Sequence, residues 1–309
     1  MNKKTLLNEL LLLFGTMIWG IAFVFQSLGM KYVSPLTFNM ERSLVASLSL
    51  FIVYIIVKLI KKRSYKKNIE EKKYKIKDLI IGSIVCGSSL SMAMLLQQFG
   101  ISLESAGKSG FITALYIVFV PLFGLFFKKK PSLSILIGVA LSIGGLLLIN
   151  CTDGKFEFGL GSLLLIGCAI GYALQIIAVD QFSKKCNTIL LTGGQFLVSF
   201  LIHFPLMFIF ETPNINSMIQ AWGPVLFLGI LSSGVGFSIQ VYTQKNISPA
   251  IASLIMSFEA VFSLLAGVII LKEKHGILEL IGCILLFLAI IIAQIPISIK
   301  RKGMFRNPE

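Results

Sequence analysis

Along this 309-residue chain, apolar runs of about 20 residues follow one another from end to end, with no polar stretch long enough to fold alone. A hydrocarbon layer about 30 Å thick is crossed by about 20 helical residues. Ten runs meet that length: Leu6–Gly29, Pro35–Ile60, Asp78–Gln98, Ser105–Phe127, Ser132–Asn150, Gly159–Gln181, Thr188–Phe210, Trp222–Gln244, Pro249–Leu271 and Gly276–Ile297, numbered segments 1 to 10. Charged residues make up 14% of the chain, and the mean hydropathy is +0.88. Soluble domains carry about 25% charge, so these runs read as membrane spans and not as cores. A cytosolic enzyme, a secreted disulfide scaffold and a nucleic-acid-binding domain are thereby excluded.

Irregular backbone cannot face lipid, and the alternating pattern of barrel strands is absent, so the spans are expected to be helices. Short connections carry breakers at Ser34-Pro35, Lys130-Pro131, Asp153-Gly154, Pro213-Asn214 and Ser248-Pro249. The longest polar insert, Lys61–Lys77, is too short and too charged for a domain, and Glu70-Glu71 only interrupts its basic run.

A net charge of +14 invites a nucleic-acid reading, but its placement argues otherwise. Ten of the 28 Lys/Arg lie between Lys58 and Lys77, three at Lys128–Lys130 and four between Lys300 and Arg306, all flanking apolar runs. With the N-terminus inside, 22 basic residues fall on the cytoplasmic side and five outside, as the positive-inside rule requires. Both termini are then cytoplasmic and the membrane is the cell membrane. Lys3-Lys4 before an apolar run has the look of a signal peptide, yet no small-residue cleavage site follows, so segment 1 is a retained span. Five scattered cysteines (Cys86, Cys151, Cys168, Cys186, Cys283) and two distant histidines, His203 and His275, offer no metal spacing. No cofactor is called for.

Three pairs recur in order: Gly20-x-Ala22 with Gly171-x-Ala173, Ile101-Ser102 with Ile247-Ser248, and Gly138 with Gly282. Their offsets of 151, 146 and 144 lie near half the chain. Five spans is an odd number, so a second copy would lie inverted with respect to the first, an arrangement carriers use to build two access states from one fold. The expected architecture is an all-α integral membrane protein of ten transmembrane helices in two inverted five-helix repeats, residues 1–150 and 151–309.

The stretch Ala106-Gly-Lys-Ser-Gly-Phe-Ile-Thr-Ala-Leu-Tyr-Ile-Val-Phe-Val-Pro121 resembles the fourth-span signature of EamA-type carriers of the drug/metabolite transporter superfamily. Tyr242–Pro249, Ser257-Phe-Glu-Ala-Val-Phe262 and Leu271-Lys-Glu273 are similar to the second-copy pattern, and Trp19-Gly20 and Arg42 also fit. Two positions depart from it: Ala260 follows Glu259 where the family has Pro or Ser, and Lys128–Lys130 replaces an acidic closure of segment 4. The resemblance implies a carrier of amino acids, other metabolites or toxic compounds, with its cavity between segments 1, 3, 4 and 6, 8, 9, and segments 5 and 10 peripheral.

Glu259 lies ten residues into segment 9, about 15 Å deep, where a carboxylate must protonate, pair or meet a wet cavity. It reads equally as a cargo or proton-coupling group and as a helix-packing carboxyl. Arg42, about 10 Å into segment 2, has the planar fork that clamps a carboxylate, although snorkelling or helix tying is the commoner role. Lys108 lies within snorkelling reach of the outer surface and reads slightly more as interfacial than as a gate. Trp19, Tyr116, Tyr172, Gln175 and Gln240 stand at mid-depth, with Gln26 and Gln97 nearer segment ends; a cavity for amphipathic cargo needs a few such groups. Gly167-x-x-x-Gly171 and Ser232-x-x-x-Gly236 read as close-packing motifs, Pro121 predicts a kink near the carbonyl of Ile117, and Phe196 to Phe210 reads as lipid-facing bulk.

These residues lead to a secondary transporter of a small organic metabolite, an amino-acid-like solute or a drug, working by alternating access with possible proton coupling through Glu259. An organic-phosphate or nucleotide-sugar antiporter would need a more basic cavity than Arg42 and Lys108 provide. A membrane enzyme acting on lipid-linked substrates would need clustered carboxylates, histidines or a metal set, which the sequence does not show.

Overall fold

The computed structural model describes residues 3–63, 74–126, 132–149, 151–152, 155–156, 159–272 and 276–295. Glu70-Glu71, the Lys128–Lys130 cluster with Pro131, Asp153-Gly154, Glu273 to His275 and the basic tail from Lys300 lie outside the described residues.

Helix covers every one of the ten segments, in the order Lys3–Gly29, Pro35–Arg63, Ile76–Ile101, Ala106–Thr113 with Tyr116–Phe126, Leu133–Ile149, Leu160–Phe182, Thr188–Phe210, a helical stretch over 222–243, then Pro249–Met256 continued from Glu259, and Ile277–Gln294. Eight candidate spans, segments 1 to 4 and 6 to 9, are long and apolar enough to cross a membrane; in segments 5 and 10 the apolar helices Leu133–Gly145 and Leu280–Ala289 are shorter. A short helix, Ile215–Gln220, precedes segment 8, and the two-residue strands Cys151–Thr152 and Lys155–Phe156 pair antiparallel after segment 5. The chain is a multi-pass membrane protein.

Burial supports this reading by being inside out. Ile52, Ile55, Ile56, Leu59 and Ile60 of segment 2 are exposed, as are Leu201, Phe204, Phe208 and Ile209 of segment 7. Gln175, Gln195, Gln240, Gln244, Ser253 and Ser257 are fully buried. In water that distribution would waste the hydrophobic effect, whereas in lipid it leaves the polar groups nowhere to go but one another. Phe196 departs from the expected lipid-facing set: it is buried, edge-on to Phe237 at 5.2 Å, because its turn of segment 7 faces segment 8.

Segment starts are set by side-chain caps. Ser105 accepts from the Lys108 amide at 3.3 Å, Ser248 from Ile251 at 3.4 Å with Pro249 beside it, and Asn187 from Ile189 and Leu190 at 3.0 and 3.2 Å. Glu211, just past segment 7, caps segment 2. Its carboxylate accepts from the Leu36 and Thr37 amides at 2.8 Å each and from the Thr37 hydroxyl at 2.7 Å. That clasp ties the end of segment 7 to the start of segment 2.

Segment 4 is interrupted at Ala114–Leu115, one turn earlier than the kink expected near Ile117. The local bonds there close to i−3, with Leu115 N to Ile112 O at 3.1 Å and Ile117 N to Ala114 O at 3.0 Å. Segment 9, which lacks the family proline, breaks too, at Ser257–Phe258, with Ala260 N bonded to Ser257 O at 3.1 Å. The break in segment 9 therefore needs no proline. In segment 9 the hydroxyls of Ser253, Ser257 and Ser263 bond back to carbonyls three residues earlier, at 2.9, 2.7 and 2.9 Å, a contact that bends helices.

Segment 8 also departs from expectation. Phe227–Gly236 winds as a π-helix, so Ser232 and Gly236 are not stacked on one face at α-helical spacing. The wider coil matches its neighbour: Trp19 Nε1 donates to the Ser232 carbonyl at 3.1 Å, and a Cβ on Gly236 would lie 2.6 Å from that same nitrogen. Gly171 packs on Ala93 of segment 3, as a small-residue motif should.

Candidate functional site

Eight of the nine residues singled out from the sequence line one buried cavity: Trp19, Arg42, Gln97, Tyr116, Tyr172, Gln175, Gln240 and Glu259. Segments 1, 3, 4, 6, 8 and 9 supply its walls, joined by segment 2 through Arg42. The ninth, Lys108, is elsewhere. Its ammonium pairs with Glu104 at 2.9 Å one turn back, near the start of segment 4 and outside this cavity. The cavity volume is about 30 Å³, room for a water or two and not for a metabolite. In this conformation the lining side chains fill most of the space between the helices.

Why these side chains converge follows from the helices that carry them. Trp19 is held by the π-helical carbonyl of Ser232 and packs 5.0 Å from the Phe237 ring. Tyr116 opens the second half of segment 4, and Glu259 opens the second half of segment 9. Each thus stands immediately after a helix break, near the middle of its apolar run. Tyr116 also sits edge-on to Tyr172 at 6.5 Å, and the Tyr172 hydroxyl donates to Gln97 Oε1 at 3.0 Å.

Two groups in this cavity are ionisable at short reach and under-satisfied. Arg42 is 2% exposed; its Nη1 donates to Gln26 Oε1 at 3.1 Å, while its Nε has no hydrogen-bond partner. Glu259 is 6% exposed and lies beside the Tyr116 hydroxyl, its nearest polar neighbour in the cavity, but neither its Oε1 nor that hydroxyl makes a hydrogen bond of 3.5 Å or less. Among the described residues neither Arg42 nor Glu259 forms an ion pair. Buried polar groups are ordinarily satisfied, and an unpaired buried charge costs several kcal/mol, roughly, per ion.

A layer of amides bounds the cavity on the side of segment 8's last turns. Gln240 Nε2 donates to Gln175 Oε1 at 2.9 Å, and Gln175 Nε2 to Gln195 Oε1 at 3.1 Å, so three segments are stitched across. Gln195 and the Gln26 contact to Arg42 were not singled out from sequence as site features. An amide within an apolar run is the signal they carry, but it does not say which neighbour it meets. His203 is no part of the cavity lining; its Nδ1 bonds the Ser199 carbonyl at 2.8 Å, a packing role. Among the described residues no group of His, Cys, Asp and Glu is placed to hold a metal, and Cys86, Cys168 and Cys186 are buried and free.

Comparison with known proteins gives the same class. The model of the EamA-like transporter family matches residues 6–151 and 159–294. An uncharacterized transporter of Archaeoglobus fulgidus is 24% identical over 293 residues, 94% of this chain and 87% of its own length. The uncharacterized transporter YoaV of Bacillus subtilis is 25% identical over 279 residues, covering 88% and 91%. A crystal structure 16% identical in sequence shares the fold, with a TM-score of 0.72 over 93% of this chain and 95% of that one.

Proposed function

The chain belongs to the EamA-like transporter family, and from that premise we propose that it carries a small zwitterionic, amino-acid-like solute across the cell membrane by alternating access. The observation that carries this is the pair Arg42 and Glu259: a basic and an acidic side chain lining one small buried cavity, neither of them in an ion pair among the described residues. A planar guanidinium suits a carboxylate, and a carboxylate suits an ammonium. Gln97, Tyr172 and Gln175 add neutral donors and acceptors, while Trp19, Phe23, Phe237 and Met256 give the apolar surface that a side chain needs.

Two inverted halves, 1–150 and 151–309, each of five spans with segments 5 and 10 crossing as well, are the architecture that alternating access needs. Support comes from the packing. Segments 2 and 7, 4 and 9, and 5 and 10 pair with each other, 3 with 6 answers 8 with 1, and 3 with 7 answers 8 with 2. Adding five to every segment number returns the same set of pairs. The caps Ser105 and Ser248, the breaks at Ala114 and Ser257, and the residues Tyr116 and Glu259 all stand 143 apart. The family match likewise falls in two stretches. Lysine placement supports cytoplasmic termini.

Proton coupling fits the same pair of breaks, because only the second carries a titratable carboxyl. On this reading Glu259→Gln abolishes pH-driven accumulation in proteoliposomes but keeps one-for-one exchange of the same cargo. A Glu259→Gln protein that accumulates cargo with unchanged pH dependence removes the coupling. The cargo class is tested by thermal-shift screening of purified protein against amino acids, organic acids and amines. Zwitterions are expected to stabilise wild type and not Arg42→Ala. Stabilisation by monoanions or monocations alone would refute the two-pole site.

A further inference from the structure

We propose that the cleft at the lysine-rich end binds an anionic phospholipid, its acyl chain along the apolar walls and its phosphate among Lys58, Lys61 and Lys75. The cleft is separate from the cargo cavity and far larger, about 970 Å³ against about 30 Å³. It lies between the last turns of segment 2, the first turns of segments 3 and 7, and the second half of segment 8.

Its walls and rim differ in chemistry. Val53, Ile230, Val235 and Tyr242 line it at 44%, 44%, 40% and 47% exposure, within the apolar runs of segments 2 and 8. A water-filled vestibule would leave that apolar surface wet, at about 25 cal/mol per Å²; a hydrocarbon chain covers it. At the mouth, every charged side chain among the described lining residues is a lysine: Lys58, Lys61, Lys75 and Lys245. Lys245 is already committed, its Nζ donating to Thr188 Oγ1 at 2.7 Å and so bracing segment 8 against segment 7. The other three are solvent-exposed and lie on two different segments. A soluble anion would use the lysines and ignore the walls, and a neutral lipid would do the reverse. Only an amphiphile with a negative head uses both, and basic pockets between spans recognise such headgroups.

Occupancy bears on the carrier itself. Gln240 faces the cargo cavity while Ser238, Ile239 and Tyr242 of the same segment face the cleft, so one helix thickness parts the two. A lipid seated there keeps the last turns of segment 2 apart from the last turns of segment 8, whose earlier turns pack together, and favours the conformation described. The inference rests on the membrane reading but not on the cargo, and its test uses no transport assay.

The full-length chain in neutral detergent is mixed with phosphatidylglycerol, phosphatidylcholine of the same acyl chains, or glycerol 3-phosphate, and followed by thermal unfolding and native mass spectrometry. Phosphatidylglycerol is expected to raise the midpoint by several degrees and to be retained as one or two adducts, with phosphatidylcholine and glycerol 3-phosphate doing neither. Lys58→Gln/Lys61→Gln/Lys75→Gln should lose the preference, and Lys184→Gln/Lys185→Gln, outside the cleft, should keep it. Val235→Trp fills the cleft with all lysines intact and should also lose the adducts, an arm that decides even if the triple variant is not obtained folded. Equal effects of the two lipids, a triple variant that retains the preference, or a shift reproduced by glycerol 3-phosphate alone would each overturn the proposal, the last by making the cleft a site for soluble anions.

Discussion

Segments 2 and 7 run side by side through the molecule, yet their two ends are unlike. At one end the Glu211 carboxylate grips the first turn of segment 2 with three hydrogen bonds of 2.7–2.8 Å. At the other, the same two segments border a cleft of about 970 Å³ rimmed by lysines. Between them sits the small cavity, closed by the Arg42–Gln26 bond toward the clasped end and by the glutamine layer toward the cleft. The difference teaches that the two ends are closed by different means: a charged latch between helix ends on one side, neutral amides deep inside on the other. A charged latch is sensitive to one substitution. An amide layer is spread over several residues and each contributes little.

The largest effect is expected in the cavity between the two ends. Arg42→Ala removes the anionic-group partner and should weaken cargo binding by about 2 to 5 kcal/mol, read by isothermal titration with the best hit of a ligand screen. Binding within twofold of wild type would place cargo elsewhere. Next is the latch: Glu211→Ala removes charge-assisted bonds from a helix start and should lower stability by about 2 kcal/mol, with hydrogen exchange rising at Leu36 and Thr37 first. Unchanged protection there would mean that the clasp does not hold that end. Gln240→Leu strips one member of the amide layer, an effect of about 1 kcal/mol. It should loosen the cleft side alone, so maleimide labelling of a Ser232→Cys thiol rises from the lysine-rich side and not from the other. Smallest is Ser257→Ala, under about 1 kcal/mol, with the break in segment 9 retained. A continuous helix through residue 258 in that variant would show that the serines, and not the surrounding packing, create the break.

The sequence disclosed the segments well and their irregularities poorly. Thr188–Phe210 and Pro249–Leu271 coincide with helical stretches of the structure because Asn187 and Ser248 are caps followed directly by apolar runs. The breaks were half legible. Pro121 pointed to one, but it formed a turn earlier, and its counterpart in segment 9 formed with no proline at all, where packing between helices and not a residue of the run decides the bend. The π-helix of segment 8 had no sequence signature beyond its glycines and serines, and the contact it makes with Trp19 through the Ser232 carbonyl comes from another segment. Mid-span polar residues found the cavity because a polar group in lipid must face inward, a one-residue argument. Which polar group meets which is a property of pairs of helices. Hence Gln195 and the Gln26–Arg42 bond escaped, while Lys108, carried by its resemblance to a signature, turned out to pair with Glu104.

Alternating access, as proposed, requires the one small cavity to open to each face in turn. The direct measurement is sided labelling of Ser232→Cys, a cavity-lining position, in an otherwise cysteine-free chain reconstituted in vesicles of known orientation. An impermeant maleimide should reach the thiol from the lysine-rich side and, more slowly, from the Glu211 side, with bound cargo protecting against both. Labelling from one side only, while cargo exchange continues at its full rate, would contradict the account.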